Sequence, residues 1–237
     1  MVDQPLVTAG LARGDGLAEQ AYTVLRDAIL NHELPPGTRL SVPEIARQLE
    51  ISRSPAREAI ARIQHEGLAQ AVPNRGAVVS HIDLAALVQL YDIREVLEGL
   101  AVRRATERAD QAWVDALEQL WEQHRHAVEA GDGARHIELD GEFHQRIREA
   151  AGNPSLAGSL DHLQGQIRLA MATTSRRGGG MPQAIAEHRA ILDAIRSGDG
   201  AVAERVAREH IARLRESLHA AVDEHDDHDD HQEQEQR

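Results

Sequence analysis

The sequence predicts a mostly α-helical protein: an N-terminal winged helix-turn-helix, made of three helices and a β-hairpin, followed by an all-α antiparallel helical bundle. Aromatic residues make up only 2% of the 237 residues, so the core must be built from Leu, Ile, Val and Ala, which suits helices. Apolar residues recur at helical spacing along most of the chain, whereas runs typical of β-strands occur only between residues 68 and 79.

Gly, Pro and Ser residues divide the first 80 residues into short elements. Residues 1–16 are polar and rich in Gly, and we expect them to be disordered. Pro35-Pro36-Gly37 ends the first helix, and Gly67 stands where helices commonly end in the left-handed conformation. The predicted elements are helices over residues 17–31, from a Ser41 cap to Leu49 and from a Ser52 or Ser54 cap to Gly67, with strands over residues 68–72 and 77–79. Together they predict one domain over residues 17–80.

From Asp83 onward the pattern is helical throughout. Gly131, Gly152-Asn153-Pro154 and the run from Gly178 to Gly180 interrupt it, as expected for connections between helices. The predicted helices cover residues 83–109, 111–130, 133–151, 155–174, 181–197 and 199–223. We expect them to form one domain over residues 83–222. Residues 223–237 consist mostly of His, Asp, Glu and Gln and predict a disordered acidic tail.

The net charge of −13 argues against a nucleic-acid partner, but its distribution weakens that argument. Residues 1–80 carry eight Arg against nine Asp and Glu, whereas residues 220–237 carry one Arg against eight acidic residues. Affinity for nucleic acid depends on the local charge of the binding surface rather than on the total charge. A nearly neutral N-terminal domain predicts weak non-specific binding by one copy, and we therefore expect a homodimer, which doubles the contact surface.

Composition narrows the class of protein further. Cysteine is absent, which excludes disulfides and thiolate metal sites. No run of about 18 apolar residues occurs, which predicts that the chain does not span a membrane. Residues 1–16 lack the apolar segment of a signal peptide. We expect a cytoplasmic protein with no membrane partner.

The third predicted helix carries the features of a DNA-reading element. Arg53 and Arg57 are four residues apart and share one face of its first two turns. An α-helix fits the major groove, and guanidinium groups can contact guanine bases or phosphates. Ser54 offers a hydroxyl to phosphate at the helix start. The hairpin that follows can reach the neighbouring groove with its tip, which consists of Asn74, Arg75 and Gly76. The alternative is an ordinary helix with a solvated arginine face.

The run from Thr38 to Ser80 resembles the winged helix of the GntR family of bacterial transcriptional regulators. The resemblance is carried by Ser52-Arg-Ser-Pro-Ala-Arg-Glu-Ala-Ile, Glu66-Gly-Leu and Pro73-Asn-Arg-Gly. It implies that Arg53 and Arg57 contact bases and phosphates and that Ser54 and Pro55 lie at the groove. It also implies that Gly76 lets the wing approach the minor groove, and that a homodimer binds a pseudo-palindromic operator in double-stranded DNA.

The C-terminal region holds a candidate metal site. Asp140 and His144 are four residues apart on one predicted helix, His188 lies on the next but one, and His210 lies on the last. Apolar residues at helical spacing flank these positions and predict that the histidines face the core; they are Ile137, Ile147, Ile185, Ile191, Leu192, Val206 and Leu214. One carboxylate and three imidazoles can hold a divalent transition metal, with Zn²⁺ or Ni²⁺ as the first candidates. The alternative is a set of ordinary core histidines, since the chain has 14 His.

The same region resembles the effector domain of the FadR subfamily of GntR regulators, called FCD. The resemblance rests on Leu90-Tyr-Asp-Ile-Arg-Glu-Val-Leu-Glu, Asp140-x-x-Phe-His, Glu187-His and His210. It implies that Asp140, His144, His188 and His210 hold a metal whose shell is completed by a small carboxylate effector.

Arg94 is the candidate for binding the effector, because a guanidinium can pair with a carboxylate through two hydrogen bonds. It lies on the first helix of the predicted bundle. The alternative is an ion pair within that helix, between Arg94 and Glu98 at i, i+4.

Three functions are compatible with these features. The first is a DNA-binding transcriptional regulator, most simply a repressor, whose operator affinity is controlled by a small organic acid bound at the metal site. The second is a metal-dependent enzyme acting on a small organic acid, but no general base or nucleophile motif accompanies the metal-site residues. The third is a helical protein–protein adaptor, which leaves Arg53, Arg57 and the hairpin without a role. We expect the regulator and no enzymatic activity.

Overall fold

The computed structural model describes residues 16–73, 75–173 and 181–235. In chain order its elements are α1 (Leu17–Leu30), β1 (Arg39–Leu40), α2 (Val42–Gln48), α3 (Arg53–His65), β2 (Ala69–Val72), β3 (Gly76–Val79), α4 (Leu84–Arg108), α5 (Gln111–Glu129), α6 (Gly133–Ala150), α7 (Pro154–Thr173), α8 (Met181–Arg196) and α9 (Gly200–Glu235). The predicted mostly helical fold class is confirmed. Asn74 and the predicted disordered segment up to residue 15 lie outside the described residues.

The first three helices and three short strands build a small winged-helix unit. The strands form an antiparallel sheet in the order β1-β3-β2, with Arg39 opposite Val78 and Ala69 opposite Val79. The hairpin of β2 and β3 was predicted, whereas β1 was not, because a two-residue strand is too short to show an alternating pattern. The core of this unit is aliphatic and includes Leu25, Ile29, Leu40, Ile45, Ile60, Ile63 and Leu68.

The remaining helices form a bundle with a core of its own. α4 packs along α9, α5 packs against α6 and α8, and α8 packs against α9. The bundle core contains Leu117, Leu139, Phe143, Ile147 and Leu192, all of which are at most 1% exposed. Ile137, which the helical spacing had placed on the inner face of α6, is 71% exposed. Its position falls beside the buried stripe of the helix, which runs through Leu139, Phe143 and Ile147.

The described chain divides into two compact units, and the division differs from the expected one in the course of α7. One unit holds the residues up to Asp83 together with the segment that begins at His162, and the other holds Leu84–Asp161 and the C-terminal residues. We had expected α7 to lie wholly in the C-terminal domain. Its second half belongs to the first unit because Leu169 is part of that unit's core and the Gln166 amide donates to the Glu66 carbonyl at 2.9 Å.

The last helix is longer than expected. α9 ends at Glu235, whereas the sequence led us to expect a disordered tail from residue 223. Between residues 201 and 235 the chain has neither Gly nor Pro, the residues that most strongly end a helix, so no local signal stops it. In the part of the chain that the structure describes, no helix combines the length and apolarity needed to cross a lipid bilayer.

Candidate metal centre and nucleic-acid interface

Helix α3 presents the predicted arginines to solvent. Ser52 is its N-cap residue, and the helix ends at a Schellman motif in which Gly67, at φ 73°, lets the Leu68 amide donate to the Ile63 carbonyl at 3.1 Å. One face, with Ala56, Ala59, Ile60 and Ile63, is buried in the core. The opposite side leaves an arginine surface free for a partner.

Arg53 and Arg57 are both exposed and, among the described residues, neither forms an ion pair. Arg62, further along α3, is different, because its guanidinium pairs with Glu19 and stacks over the Tyr22 ring at 3.8 Å. Two of the three helix arginines are therefore available to bind an anionic partner. The third is held by α1.

The tip of the hairpin between β2 and β3 also presents an arginine to solvent. Arg75 is exposed, and Gly76 begins β3 with φ 78°, a left-handed conformation that favours glycine. Ser54 is exposed and Pro55 is half-buried at the start of α3. The structure thus keeps the described members of the predicted DNA-binding set at the surface of the winged-helix unit.

In the bundle, α6, α8 and α9 bring three of the predicted ligands together. One ring nitrogen from each of His144, His188 and His210 lies within 4.8 Å of the others, and all three residues are buried. We call these residues the three-histidine cluster. The ring centroids of His144 and His188 are 5.0 Å apart, and those of His188 and His210 are 5.4 Å apart.

Burial keeps the cluster in the form that can bind a cation. It lowers the pKa of His144 and of His188 well below the ordinary histidine value, and the other histidines of the cluster add to that effect. Neutral imidazoles retain the lone pair that a metal needs. His144 and His188 are therefore prepared for a metal rather than for an anion.

Glu187 holds His210 in a defined orientation. Nδ1 of His210 lies 2.7 Å from Oε2 of Glu187, which also pairs with Arg213. Burial alone would raise the pKa of Glu187, but the His210 hydrogen bond and Arg213 bring it below its ordinary value. A carboxylate that accepts a hydrogen bond from one ring nitrogen leaves the other nitrogen free as a ligand, and such a carboxylate is the usual outer partner of a metal-binding histidine.

Asp140 lies beside the cluster and is more exposed than the three histidines. Its Oδ1 is 3.5 Å from Nε2 of His188, and its side chain is 38% exposed. His188 itself is fully buried between Phe143, which stacks on its ring at 4.4 Å, and the other cluster histidines.

Both ring nitrogens of His188 lack a hydrogen-bond partner among the described residues. An imidazole left without partners in a buried site is costly unless something else binds it. Nitrogens that share one ion at about 2.1 Å can be no more than about 4.2 Å apart, so a small contraction of the cluster suffices for a metal. The three-histidine cluster therefore fits a divalent transition metal, and Asp140, which was predicted as a fourth ligand, lies next to His188 but outside the group of nitrogens within 4.8 Å of one another.

Arg94 is buried in an ion-pair network next to this cluster. Its Nε lies 3.4 Å from Oε1 of Glu98, the i, i+4 pair that was the alternative to an effector role. Arg148 approaches the same Oε1 at 2.6 Å, and Oε2 of Glu98 lies 4.0 Å from Nδ1 of His144. Burial would raise the pKa of Glu98, but Arg148 and Arg94 hold it below its ordinary value. Two buried guanidinium groups thus share one carboxylate.

Sequence reasoning missed Glu98 as the centre of this network and Glu187 as the partner of His210. It also missed His124 and His136, which lie against the cluster. His136, Asp140 and His144 are spaced i, i+4, i+8, and this spacing could have indicated that His136 lies near the metal site. The i, i+4 spacing indicated Glu98 as a partner of Arg94, but no local signal could have indicated its pairing with Arg148, which is fifty residues away in the sequence.

Comparison with known families gives two matches. The profile of the gntR family of bacterial regulatory proteins matches residues 17–79, and that of the FCD domain matches residues 89–213. The first range covers the winged-helix elements, and the second contains Asp140 and the three-histidine cluster.

Individual proteins are similar over most of the chain. The HTH-type transcriptional repressor RspR of Escherichia coli is 28% identical over 200 residues, which cover 84% of this chain and 88% of that protein. An uncharacterized HTH-type transcriptional regulator of Streptomyces ambofaciens is 30% identical over 191 residues, covering 80% of each. The solved structure of E. coli McbR/YncC superposes with a TM-score of 0.70 at 23% identity, covering 87% of this chain and 98% of that one, so that it has the same fold.

Proposed function

We propose that this chain, which belongs to the GntR family of bacterial regulatory proteins and carries an FCD domain, is a repressor controlled by a small carboxylate. Membership of this family makes it a DNA-binding transcriptional regulator and not an enzyme. In the proposal, the carboxylate binds at a metal in the bundle and changes the affinity for the operator. The buried three-histidine cluster with the orphaned nitrogens of His188 carries this proposal. Repression is supported by the similar repressor RspR.

Operator recognition is assigned to α3 and the wing. Arg53 and Arg57 contact bases and phosphates in the major groove, with Ser54 and Pro55 at the helix start. Asn74, Arg75 and Gly76 place the wing tip at the neighbouring groove. The exposure of Arg53 and Arg57, and the absence of ion pairs to either among the described residues, support this assignment.

The metal is assigned to Asp140, His144, His188 and His210, with Zn²⁺ or Ni²⁺ as the first candidates. Three imidazoles and one carboxylate select a borderline transition metal over Mg²⁺ or Ca²⁺. When bound, the metal supplies a positive centre that an effector carboxylate can complete. The hydrogen bond between His210 and Glu187 supports this set, because it orients one ligand from outside.

Arg94 is assigned as the residue that binds the carboxylate of the effector. The charged groups beside the cluster are the buried Arg94, Arg148 and Glu98 and the partly exposed Asp140, whose charges balance in the absence of a cation. A divalent metal leaves this buried region with an excess of about two positive charges. A small organic acid with one or two carboxylates compensates that excess, and Arg94 pairs with it by exchanging part of its contact with Glu98.

A homodimer in the cytoplasm is the form that we propose to bind the operator. Ile93 and Val96 on α4 are both 52% exposed, and large apolar residues three apart on one helix face suit a subunit contact. Helix α4 follows the wing directly. An effector changes operator affinity only if it binds the two dimer geometries unequally, so the site must differ between them.

The test measures operator binding as a function of metal and acid. An operator is first selected from a random duplex library with the full chain. Affinity is then measured for the EDTA-treated protein, for the Zn²⁺- or Ni²⁺-loaded protein, and for the loaded protein with mono- and dicarboxylates chosen by thermal shift. We expect at least one acid to change affinity about tenfold in the loaded protein only, as for a coupling of about 1.4 kcal/mol. An equal effect on the EDTA-treated protein contradicts the role of the metal.

A further inference from the structure

A second pair of histidines lies against the three-histidine cluster. His124 on α5 is fully buried and His136 on α6 is half-buried. Nε2 of His124 lies 2.6 Å from Nδ1 of His136, and the two rings are stacked with centroids 4.8 Å apart. The ring of His124 lies 5.4 Å from that of His188. Helix α5 thus contributes an imidazole that is not one of the proposed ligands in the three-histidine cluster.

Asp140 shares a helix face with one member of the pair and one member of the cluster. His136, Asp140 and His144 are spaced i, i+4, i+8, so they follow one another along one face of α6. One oxygen of Asp140 lies 3.5 Å from Nε2 of His188, whose ring centroid lies 5.4 Å from that of His124. A carboxylate has two oxygens and can serve two cations at once.

His124 is a buried residue whose hydrogen-bonding capacity is only partly used. Its Nδ1 is buried and has no hydrogen-bond partner among the described residues. The pair is therefore held in place by one mutual hydrogen bond and incompletely satisfied by the rest of the protein.

We propose that His124 and His136, with Asp140 as a shared carboxylate, form a second binding site for a divalent transition metal beside the three-histidine cluster. The proposal rests on the proposed function only through Asp140. Two imidazoles and one carboxylate suit Zn²⁺, Ni²⁺, Co²⁺ or Cu²⁺. Binding replaces the hydrogen bond between the two rings: the proton that they share moves, by way of solvent, to the other nitrogen of the ring that carried it, so both rings stay neutral and the two facing nitrogens turn to the cation.

The experiment counts metal ions per chain. The full chain is stripped with EDTA, dialysed to equilibrium against Zn²⁺, and analysed by elemental mass spectrometry. His136→Gln removes one ligand of the second site at a half-buried position. His126→Gln is the matched control, because His126 lies on the same helix as His124 and its side chain is 68% exposed. The other histidines, including those near the C-terminus, are common to all variants, so differences between variants report the sites.

We expect His136→Gln to bind one Zn²⁺ fewer per chain than the wild type, and His126→Gln to bind the same number as the wild type. His210→Gln should lose the ion of the three-histidine cluster and keep the ion at His136. If His136→Gln matches the wild type, or if His126→Gln loses as much as His136→Gln, the second site is wrong. If His210→Gln alone binds as many Zn²⁺ ions as the wild type, the metal site of the proposed function is contradicted, whereas the second site is not.

His124→Gln and a Co²⁺ titration provide an independent readout. Co²⁺ absorbs according to its ligands, so the wild type should show two successive spectral changes and His136→Gln one. His124→Gln should resemble His136→Gln if circular dichroism shows that it folds. A single Co²⁺ spectrum that is identical in the wild type and in His136→Gln overturns the proposal.

Discussion

Replacing His188 by leucine should make the metal-free protein more stable and the metal-loaded protein less stable than the wild type. The side chain is fully buried, and both of its ring nitrogens lack partners among the described residues. Leucine has a similar volume and no polar atoms. The substitution therefore removes an unsatisfied group and a metal ligand at once, and the two effects have opposite signs.

The magnitude follows from the contacts. Each buried polar atom left without a partner costs about 1–3 kcal/mol. The lost stacking against Phe143, whose ring is 4.4 Å away, offsets about 0.5–1.5 kcal/mol of the gain. We expect a net gain of about 2 kcal/mol in the free energy of unfolding without metal, or a melting temperature higher by about 4–8 °C in a chain of this size. With metal at 100 times its Kd, the wild type gains about 2.7 kcal/mol that the variant cannot gain.

The assay is thermal and urea unfolding in EDTA and in excess Zn²⁺, with His126→Leu as the control at an exposed position on α5. The control should respond to Zn²⁺ as the wild type does. If His188→Leu is less stable than the wild type in EDTA, the nitrogens of His188 are satisfied by water and the argument from orphaned atoms is refuted. If Zn²⁺ stabilises the variant as much as the wild type, His188 is not a ligand.

Three further outcomes are expected. Arg57→Ala should weaken specific operator binding by about 1–3 kcal/mol, because an exposed guanidinium on α3 is lost, when affinity is measured by fluorescence anisotropy. Glu187→Gln should lower metal affinity by about tenfold in a chelator competition, because the charge that holds His210 is removed. The metal-free protein should lose stability as the pH falls below about 6.5, by up to about 1.4 kcal/mol per pH unit for each of His144 and His188. The folded pKa of both is depressed, so the unfolded chain takes up protons first.

Each of these outcomes has a control. Arg62→Ala, on the same helix, should leave operator affinity nearly unchanged, since its guanidinium is paired with Glu19; an equal loss in both variants would point to a general charge effect. Glu187→Gln should leave the metal-free melting temperature almost as it was, so a large drop would indicate a structural role. His188→Leu should show a shallower pH dependence than the wild type, and an unchanged slope would contradict the assignment of the proton uptake.

Local signals predicted the elements of the winged-helix unit well. Ser52 and Gly67 bound α3 because an N-cap and a left-handed glycine act on the backbone next to them. The pair of Asp140 and His144 shares a helix face for the same short-range reason. Beyond residue 223 the polar composition suggested disorder, whereas α9 continues to Glu235, where no Gly or Pro interrupts the helix.

The sequence alone determined the mostly helical fold, the family resemblance and the identity of the four candidate ligands, because caps, periodicity and motifs are properties of neighbouring residues. Tertiary structure decided which side chains meet. Only the packing of α6, α8 and α9 brings His144, His188 and His210 within 4.8 Å. Only the fold places Arg148 on Glu98, fifty residues away, or the second half of α7 in the winged-helix unit. Such contacts depend on how buried faces fit across the core, which no local spacing records.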